Sequence, residues 1–502
     1  MRQVTSRRPK TACTALLVLG LMGCNSGPTA STDPTGAGGD PGTPPVAQEP
    51  VPAPEVLGPL MGGIRTGEPW GTTMVPLIEG YVEEEFSFGG LARGHGDAAD
   101  TESAYRTRMT VRRPVDPDDF NGTVVLDWNN VTLQFDIEST WAAANDVLMG
   151  RGFIYVGVSA QKQGVDGAPT SLYFWDPVRY ADLMHPGDDY SFDIFSQAAQ
   201  AVFDPIVMPA EIRDRIERVV ATGSSQSAGR LTTYINEVHE RDRMFDGYMP
   251  QISGSVLDTR KDLVPILWIN SQDEAAGIVE APADEPLFRY WEVAGPPHTT
   301  NAGEQYYTSM AIYANSNGVH GRYDPEVAGQ YGELDPQGSC NRNRYPVRYV
   351  WSSGIVALHK WLVSGQAPGS VPPLARDEAG DLTFDEHGNA LGGFRLPIVD
   401  VPIGAYFAGQ LPVGTSLTHC TPGGLVPLVG TSQTFDPARM MGLYESHDDY
   451  LAQLEAVIPE AVDSGRLLPE HAEDLLRRAR GSDITNPVPR VPPPPPAGGD
   501  PV

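Results

Sequence analysis

Some stretches of this chain alternate between hydrophobic and polar positions, whereas others are continuously hydrophobic. The alternation in YVEEEFSFGGLA, beginning just after Gly80, and in YRTRMTVRRP predicts half-buried antiparallel strands. Continuous hydrophobic runs predict strands that are covered on both faces, as in a parallel sheet. The runs are TVVLDW (Thr123–Trp128), GFIYVGVSA (Gly152–Ala160), RVVATG (Arg218–Gly223), VPILWIN (Val264–Asn270) and FRYWEVAG (Phe288–Gly295).

Helical spacing fills the gaps between these strands. After RVVATG, the residues Leu231, Ile235 and Val238 recur on one face of a helix that runs to about Glu240. The segment YSFDIFSQAAQAVF, which precedes the same strand, has a second such face, and residues 446–480 are again helical in pattern. Antiparallel strands followed by alternating strands and helices predict an α/β fold, with a mostly parallel central sheet and helices on both faces.

The N-terminal residues have the form of a secretory signal. Basic residues precede the hydrophobic run ACTALLVLGLMG, and this segment ends in LMGC, which resembles the lipobox of bacterial lipoproteins. That resemblance implies a signal peptide over residues 1–23, a lipid on Cys24 and attachment to the membrane of the cell envelope. Asn25 is not the aspartate associated with inner-membrane retention, which favours the outer membrane. The alternative is an ordinary signal cleaved elsewhere.

The composition divides the rest of the chain into three parts. Residues 24–55 and the Pro-rich residues 484–502 contain too few large hydrophobic side chains to fold, which predicts a disordered tether and a disordered tail. Residues 56–483 are expected to form the folded domain. Within it, the Gly/Pro-rich region of about 300–437 is expected to be a cap or insertion.

Charge and cysteine content limit which partners and cofactors are expected. The net charge of -29 repels nucleic acid and anionic lipid headgroups, so a nucleic-acid partner is not expected. Cys340 and Cys420 are an even pair in a chain bound for an oxidising compartment, which predicts a disulfide. The sequence has no Cys/His cluster with zinc spacing and no phosphate-binding glycine motif, so neither a metal nor another cofactor is predicted. Nothing in it indicates an oligomeric state.

The segment ATGSSQSAGR carries the first candidate for catalysis. It contains Gly223, Ser225 and Ser227 in the pattern G-x-S-x-S, between a buried strand and an amphipathic helix. In the related G-x-S-x-G motif the central serine is a nucleophile on a sharp strand-to-helix turn. The pattern therefore favours Ser225 as a nucleophile, although Ser/Gly-rich loops are common and the pattern alone has little specificity.

A serine nucleophile needs a histidine base and a carboxylate behind it. The segment SQDEAAG supplies Asp273 and Glu274 directly after the strand VPILWIN, and PPHTT supplies His298 after the next strand. This order of serine, acid and histidine is the one that α/β-hydrolases use. From the residues alone, either Asp273 or Glu274 could be the acid.

The oxyanion of the transition state needs hydrogen-bond donors near the serine. The backbone N–H of Gln226 is the first candidate, because it directly follows the nucleophile. The second donor is expected in the loop after TVVLDW, from Asn129, Asn130 or Val131, through a backbone N–H or a side-chain amide. The alternative is that the two asparagines only cap a turn.

Seven segments resemble the bacterial alpha/beta hydrolase domain-containing proteins, which include secreted proteins and lipoproteins. They are YRTRMTVRRP, FNGTVVLDWNNVT, GFIYVGVSAQKQGV, HPGDDYSFDIFSQAAQ, ATGSSQSAGRLTTYIN, FRYWEVAGPPHT and GNALGGFRLPIVDVP. The resemblance spans roughly residues 68–483, implies the α/β-hydrolase fold, and includes the SQS form of the serine turn. It implies Ser225 as nucleophile, His298 as base and Glu274 rather than Asp273 as acid.

The same resemblance draws attention to the HPGD block. His185 and Asp188 correspond to family positions that either line the pocket or belong to a buried hydrogen-bond network.

Together these patterns predict a serine hydrolase, with a carboxylic-ester hydrolase as the leading hypothesis. Its substrate would be a small-molecule or lipid-like ester. One alternative keeps the chemistry but changes the bond or acceptor, giving an amidase, peptidase or acyltransferase that acts on envelope material. Another is a lipid-tethered binding protein that retains the fold without catalysis.

Overall fold

A computed structural model describes residues 50–65, 69–71, 74–300, 306, 310, 343–408, 426–482 and 484. Nine strands form one sheet, and two more form a small antiparallel pair. In chain order they are β1 (Glu55–Leu57), β2 (Tyr81–Arg93), β3 (Glu102–Pro114), β4 (Thr123–Trp128), β5 (Ile154–Val158), β6 (Arg218–Ser224), β7 (Gly247–Gln251), β8 (Ile266–Asn270), β9 (Phe288–Glu292), β10 (Gly404–Phe407) and β11 (Thr431–Thr434).

The large sheet has the order β1-β2-β3-β5-β4-β6-β7-β8-β9. Its first three pairings are antiparallel and its other pairings are parallel. This mixed, mostly parallel sheet is the one that the hydrophobic patterns predict. Because β4 lies between β5 and β6, the chain reverses its direction of winding there, and loops after β4 and β6 meet at the carboxyl edge.

Helices cover both faces of the sheet. They are α1 (Ser139–Gly150), α2 (Leu172–Trp175), α3 (Ser191–Ala201), α4 (Ala210–Arg213), α5 (Gln226–Thr233), α6 (His239–Asp242), α7 (Gln272–Ala276), α8 (Val347–Ser364), α9 (Pro397–Asp400), α10 (Val426–Val429), α11 (Pro437–Leu443), α12 (His447–Asp463) and α13 (Pro469–Gly481). A π-helical segment, Tyr234–Val238, connects α5 to α6. The predicted helix after Ser225 is therefore present with a change of pitch.

The core is divided by the sheet into two hydrophobic layers. Val124 and Leu126 of β4 pack in the layer that contains α3 and α5, whereas Val125 packs in the layer that contains α1 and α8. All six residues of β4 are buried. Side chains on successive strand residues point to opposite faces, so a continuous hydrophobic run fills both layers.

Two elements differ from the sequence-based expectation. Strand β7 was not predicted, because its sequence GYMPQ is short and contains glycine and proline. Helix α8 lies within the expected cap region, yet it packs against α1, β7 and β8 as part of a main helical layer. A Cβ atom on its Gly354 would come 2.4 Å from Ile269 Cδ1, so the glycine allows the helix to approach the sheet closely.

Candidate active site

Ser225 lies at the turn between β6 and α5. Its backbone has φ of 59° and ψ of −118°, a conformation that costs energy for a residue with a side chain. A Cβ atom on Gly223 would come 3.2 Å from both Ser227 O and Leu231 Cδ1, because the strand and helix approach each other closely. This is the local geometry of a serine nucleophile turn, and its first glycine has a clear steric reason.

Ser227 occupies the position where the related motif has a second glycine. Its Oγ accepts a hydrogen bond from the Ser224 N–H at 3.0 Å and donates one to the Ser224 carbonyl at 2.9 Å. Ser227 is fully buried. The hydroxyl thus bonds both backbone groups of the residue before Ser225, which explains how serine is accommodated in a crowded turn.

Strand β7 holds the other side of this turn. The Ser225 N–H donates to the Gln251 carbonyl at 2.9 Å, and Ser224 Oγ donates to Gln251 Oε1 at 2.6 Å. Sequence reasoning did not find Gln251, because the hydrophobic pattern gave no sign of β7.

His298 and Glu274 lie together in the loops that follow β9 and β8. The imidazole Nδ1 is 2.5 Å from Glu274 Oε1, and Ser271 Oγ donates to Glu274 Oε2 at 2.5 Å. Ser271 also caps α7 by accepting from the Asp273 N–H. Of the two acids that the sequence left open, Glu274 is therefore the one that bonds the imidazole ring, while Asp273 lies beside it.

Burial and mutual charge shift the pKa values of these three groups. Burial alone would lower the pKa of His298, but the hydrogen bond and charge of Glu274, followed by the charge of Asp273, raise it. Burial opposes ionisation of Glu274, yet the contact with His298 lowers the pKa of that carboxyl group. Burial and the neighbouring Glu274 charge raise the pKa of Asp273 to about 6. The site therefore favours an ionised Glu274 beside a histidine of increased basicity.

Two connections between the loops were not predicted from the sequence. The Gln272 side chain accepts from the Gly295 N–H at 2.8 Å, and its backbone N–H donates to the Pro296 carbonyl at 3.0 Å. Ser271 and Glu274 also form the S-x-x-E pattern of a helix capping box, a signal that was available in the sequence. Here the glutamate contacts the capping hydroxyl and, with its other oxygen, His298.

The loop after β4 contains the three remaining oxyanion candidates. The Asn129 N–H donates to Val158 O at 3.2 Å, and the Asn130 N–H donates to Ile137 O at 2.9 Å. The side chain of Asn129 is fully buried. Among the residues that the structure describes, no acceptor is found for the N–H of Val131. Among the described residues, Val131 therefore differs from Asn129 and Asn130 in having a backbone N–H without an acceptor.

His185 and Asp188 participate in a hydrogen-bond network beside the serine turn. His185 Nε2 donates to Ala160 O at 2.9 Å, and burial lowers the pKa of this histidine. Asp188 accepts from the Lys162 N–H at 2.9 Å and from Arg230 Nη2, on α5, at 3.0 Å. These contacts join the loop after β5 to the helix that follows Ser225.

Several predicted features lie outside the described residues. Cys24, Cys340 and Cys420 are among them, as are the signal, most of the tether and the Pro-rich tail. Within the described ranges, no group of three or more His, Cys, Asp and Glu residues could hold a metal ion. In the same ranges, the helices are too short or too polar to cross a membrane.

Three features together define the α/β-hydrolase class. They are the mixed sheet, the strained turn at Ser225 and the contact between Glu274 and His298. The chain matches the alpha/beta hydrolase domain family over residues 56–477, and it belongs to this family. Membership of this family supports the prediction that the protein is a hydrolase. A comparison with curated proteins gives no match.

Solved structures with some likeness to this chain include esterases and a peptidase. Esterase Est22 is 11% identical with a TM-score of 0.25, and the match covers 38% of this chain and 64% of Est22. The chain thus spans less than two thirds of the length of Est22. A cold-adapted esterase from an Arctic intertidal metagenomic library is 12% identical with a TM-score of 0.25. This match covers 40% of this chain and 78% of the esterase. Oligopeptidase B from Trypanosoma brucei is 12% identical with a TM-score of 0.24. This match covers 42% of this chain and 33% of the oligopeptidase.

Proposed function

We propose that this protein is a carboxylic-ester hydrolase with Ser225 as nucleophile, His298 as general base and Glu274 as the acid that orients the histidine. The contact that carries the proposal is the 2.5 Å approach of Glu274 Oε1 to His298 Nδ1. It occurs at the sheet edge where β6 ends in the strained turn of Ser225. Order along the chain, position in the fold and local geometry therefore support the same three residues.

The reaction proceeds through an acyl-enzyme. His298 removes the hydroxyl proton of Ser225 while Oγ attacks the carbonyl carbon, and a tetrahedral oxyanion forms. The bond from the carbonyl carbon to the alcohol oxygen then breaks, and His298 returns the proton to the leaving alcohol. In the second half, His298 activates a water that attacks the acyl carbon and releases the acid and free Ser225.

Two backbone N–H groups stabilise the oxyanion in this proposal. The Gln226 N–H begins α5, so it has no acceptor within the helix and lies at the positive end of the helix dipole. The second is the N–H of Val131, for which no acceptor is found among the described residues. Losing one such donor costs about 3–4 kcal/mol of transition-state stabilisation.

The principal experiment is turnover of p-nitrophenyl esters by Ser225→Ala. We expect loss of turnover and loss of labelling by a fluorophosphonate probe, because both need the same hydroxyl. Ser464→Ala is a matched control, since Ser464 is exposed and bonds only near the end of α12. Full turnover by Ser225→Ala would exclude the mechanism. Absence of labelling in the native protein would favour the non-catalytic binding protein.

A substrate panel distinguishes the ester hydrolase from enzymes with the same nucleophile. An amidase or peptidase would also cleave matched amides, and an acyltransferase would transfer the acyl group to an added alcohol or amine in preference to water. We expect hydrolysis of esters to exceed both reactions. Chains of increasing acyl length would then show whether small or lipid-like esters are preferred.

We also infer that the protein is a lipoprotein of the cell envelope, with the outer membrane favoured. The LMGC segment that ends at Cys24 and the Asn25 that follows support this inference. In the producing bacterium, Cys24→Ser should abolish labelling with radioactive palmitate and partition into detergent. Cys13→Ser, also in the leader, is the matched control and should keep both properties.

A further inference from the structure

Asn130 connects the loop after β4 to the serine turn. Its side-chain Nδ2 donates to the Ser224 carbonyl at 3.0 Å, and its Oδ1 accepts from the Thr132 N–H at 2.9 Å. The residue is only 6% exposed. The amide therefore bridges the residue before the nucleophile and the residue after Val131.

The other polar groups of Asn130 hold the same loop. Its backbone N–H and carbonyl form a pair of hydrogen bonds with Ile137, each 2.9 Å long. The Ser224 carbonyl that accepts its amide also accepts from Ser227 Oγ. One carbonyl thus joins the β4 loop, the end of β6 and the first turn of α5.

We propose that Asn130 is a positioning residue that fixes the Val131 N–H relative to the Gln226 N–H, so that both meet one oxyanion. This inference rests on the proposed function. Oxyanion donors act only when they lie about 2.7–3.1 Å from the charged oxygen, so small displacements of the loop matter. The Asn130 side chain is buried and bonds Ser224 through Nδ2 and Thr132 through Oδ1, so we assign it to holding Val131 in place rather than to contact with the substrate.

The first test asks which N–H binds the oxyanion in the native protein. Asn130–Val131 is the only Asn–Val pair in the sequence, so carbonyl-¹³C asparagine with ¹⁵N valine gives one cross-peak in a carbonyl-selected NMR spectrum. A trifluoromethyl ketone forms a tetrahedral adduct with the nucleophilic serine. We expect this adduct to move the Val131 amide proton downfield. An unmoved peak in a sample with complete adduct formation would overturn the proposal.

The second test separates transition-state from ground-state binding. In Asn130→Ala, we expect kcat/KM to fall about tenfold to hundredfold, and the Ki of the trifluoromethyl ketone to rise by the same factor. The Ki of the corresponding methyl ketone, bound without an adduct, should change less than about twofold. An equal rise in the Ki values of both ketones, or no change in kcat/KM, would contradict a positioning role.

Asn130→Asp is the second variant if the alanine variant does not fold. It keeps the acceptor for the Thr132 N–H but removes the donor to Ser224. We again expect the Ki of the trifluoromethyl ketone to rise much more than the Ki of the methyl ketone. Asn236→Ala is the matched control, because Asn236 also donates to a carbonyl and accepts from a backbone N–H, each at 2.8 Å. It should leave kcat/KM unchanged.

The outcomes separate this inference from the proposed function. If Ser225→Ala retains turnover or the native protein forms no adduct, the serine mechanism fails. If the adduct forms on Ser225 but Val131 does not respond, the serine mechanism stands, whereas Val131 as an oxyanion donor and the positioning role of Asn130 both fail.

Discussion

Glu274 Oε1 lies 2.5 Å from His298 Nδ1, and the other carboxylate oxygen of Glu274 accepts from Ser271 Oγ. The acid is thus held from two sides, by the cap of α7 and by the imidazole. Such a carboxylate selects the tautomer in which Nδ1 carries the proton and Nε2 is free to act as a base.

Replacing Glu274 by glutamine should impair catalysis, because it removes the negative charge while keeping a side chain of similar size. In Glu274→Gln the amide can present an N–H to Nδ1, which favours the wrong tautomer of His298. We expect kcat to fall about 10³- to 10⁴-fold, as is found when a triad aspartate becomes asparagine. Steady-state ester hydrolysis measures the effect. A loss below about tenfold would indicate that Glu274 is not the orienting acid.

Asp273 should affect the pH dependence more than the maximal rate. His298 must be neutral to act as a base, and the charges of Glu274 and Asp273 both raise its pKa. Asp273→Asn removes one of these charges, so the pKa of His298 should fall and the acidic limb of the kcat/KM profile should move to lower pH. An unchanged limb would show that the Asp273 charge does not act on His298, the proposed base.

The hydroxyl of Ser227 should contribute to stability. Ser227→Ala removes the acceptor for the buried Ser224 N–H and one donor to its carbonyl. A buried polar group without a partner costs about 1–3 kcal/mol, so the free energy of unfolding should fall by that amount. Urea unfolding measures it, with the exposed Ser464→Ala as control. Equal stability of the two variants would contradict this role.

The pairing of Cys340 with Cys420 remains a proposal from the sequence. A disulfide there would close a loop of about eighty residues and stabilise the fold by about 4 kcal/mol on the chain-entropy model. We expect the two peptides to be linked in non-reducing mass spectrometry of protein from the oxidising compartment. Cys340→Ser and Cys420→Ser should lower the melting temperature equally. Two free thiols would contradict the pairing.

The sequence predicted the buried strands because each is a continuous hydrophobic run with both faces covered. It missed α8, whose sequence is hydrophobic on most sides and carries a glycine where the helix meets the sheet. Such a helix has no single apolar face, so its environment cannot be read from periodicity. Strand β7 was missed because its burial comes from neighbouring strands rather than from its own residue types.

For the site, the sequence by itself determined the candidate serine, the two possible acids, the histidine and their order along the chain. Those properties follow from residue type and from position relative to the predicted strands. The tertiary structure shows that Glu274 rather than Asp273 bonds the His298 ring, which the residues alone left open and the family resemblance implied. Only the tertiary structure decided that Asn130 bonds Ser224. Adjacent residues of a helix turn or loop point in different directions, and which one meets a partner from a distant strand depends on how the loops pack.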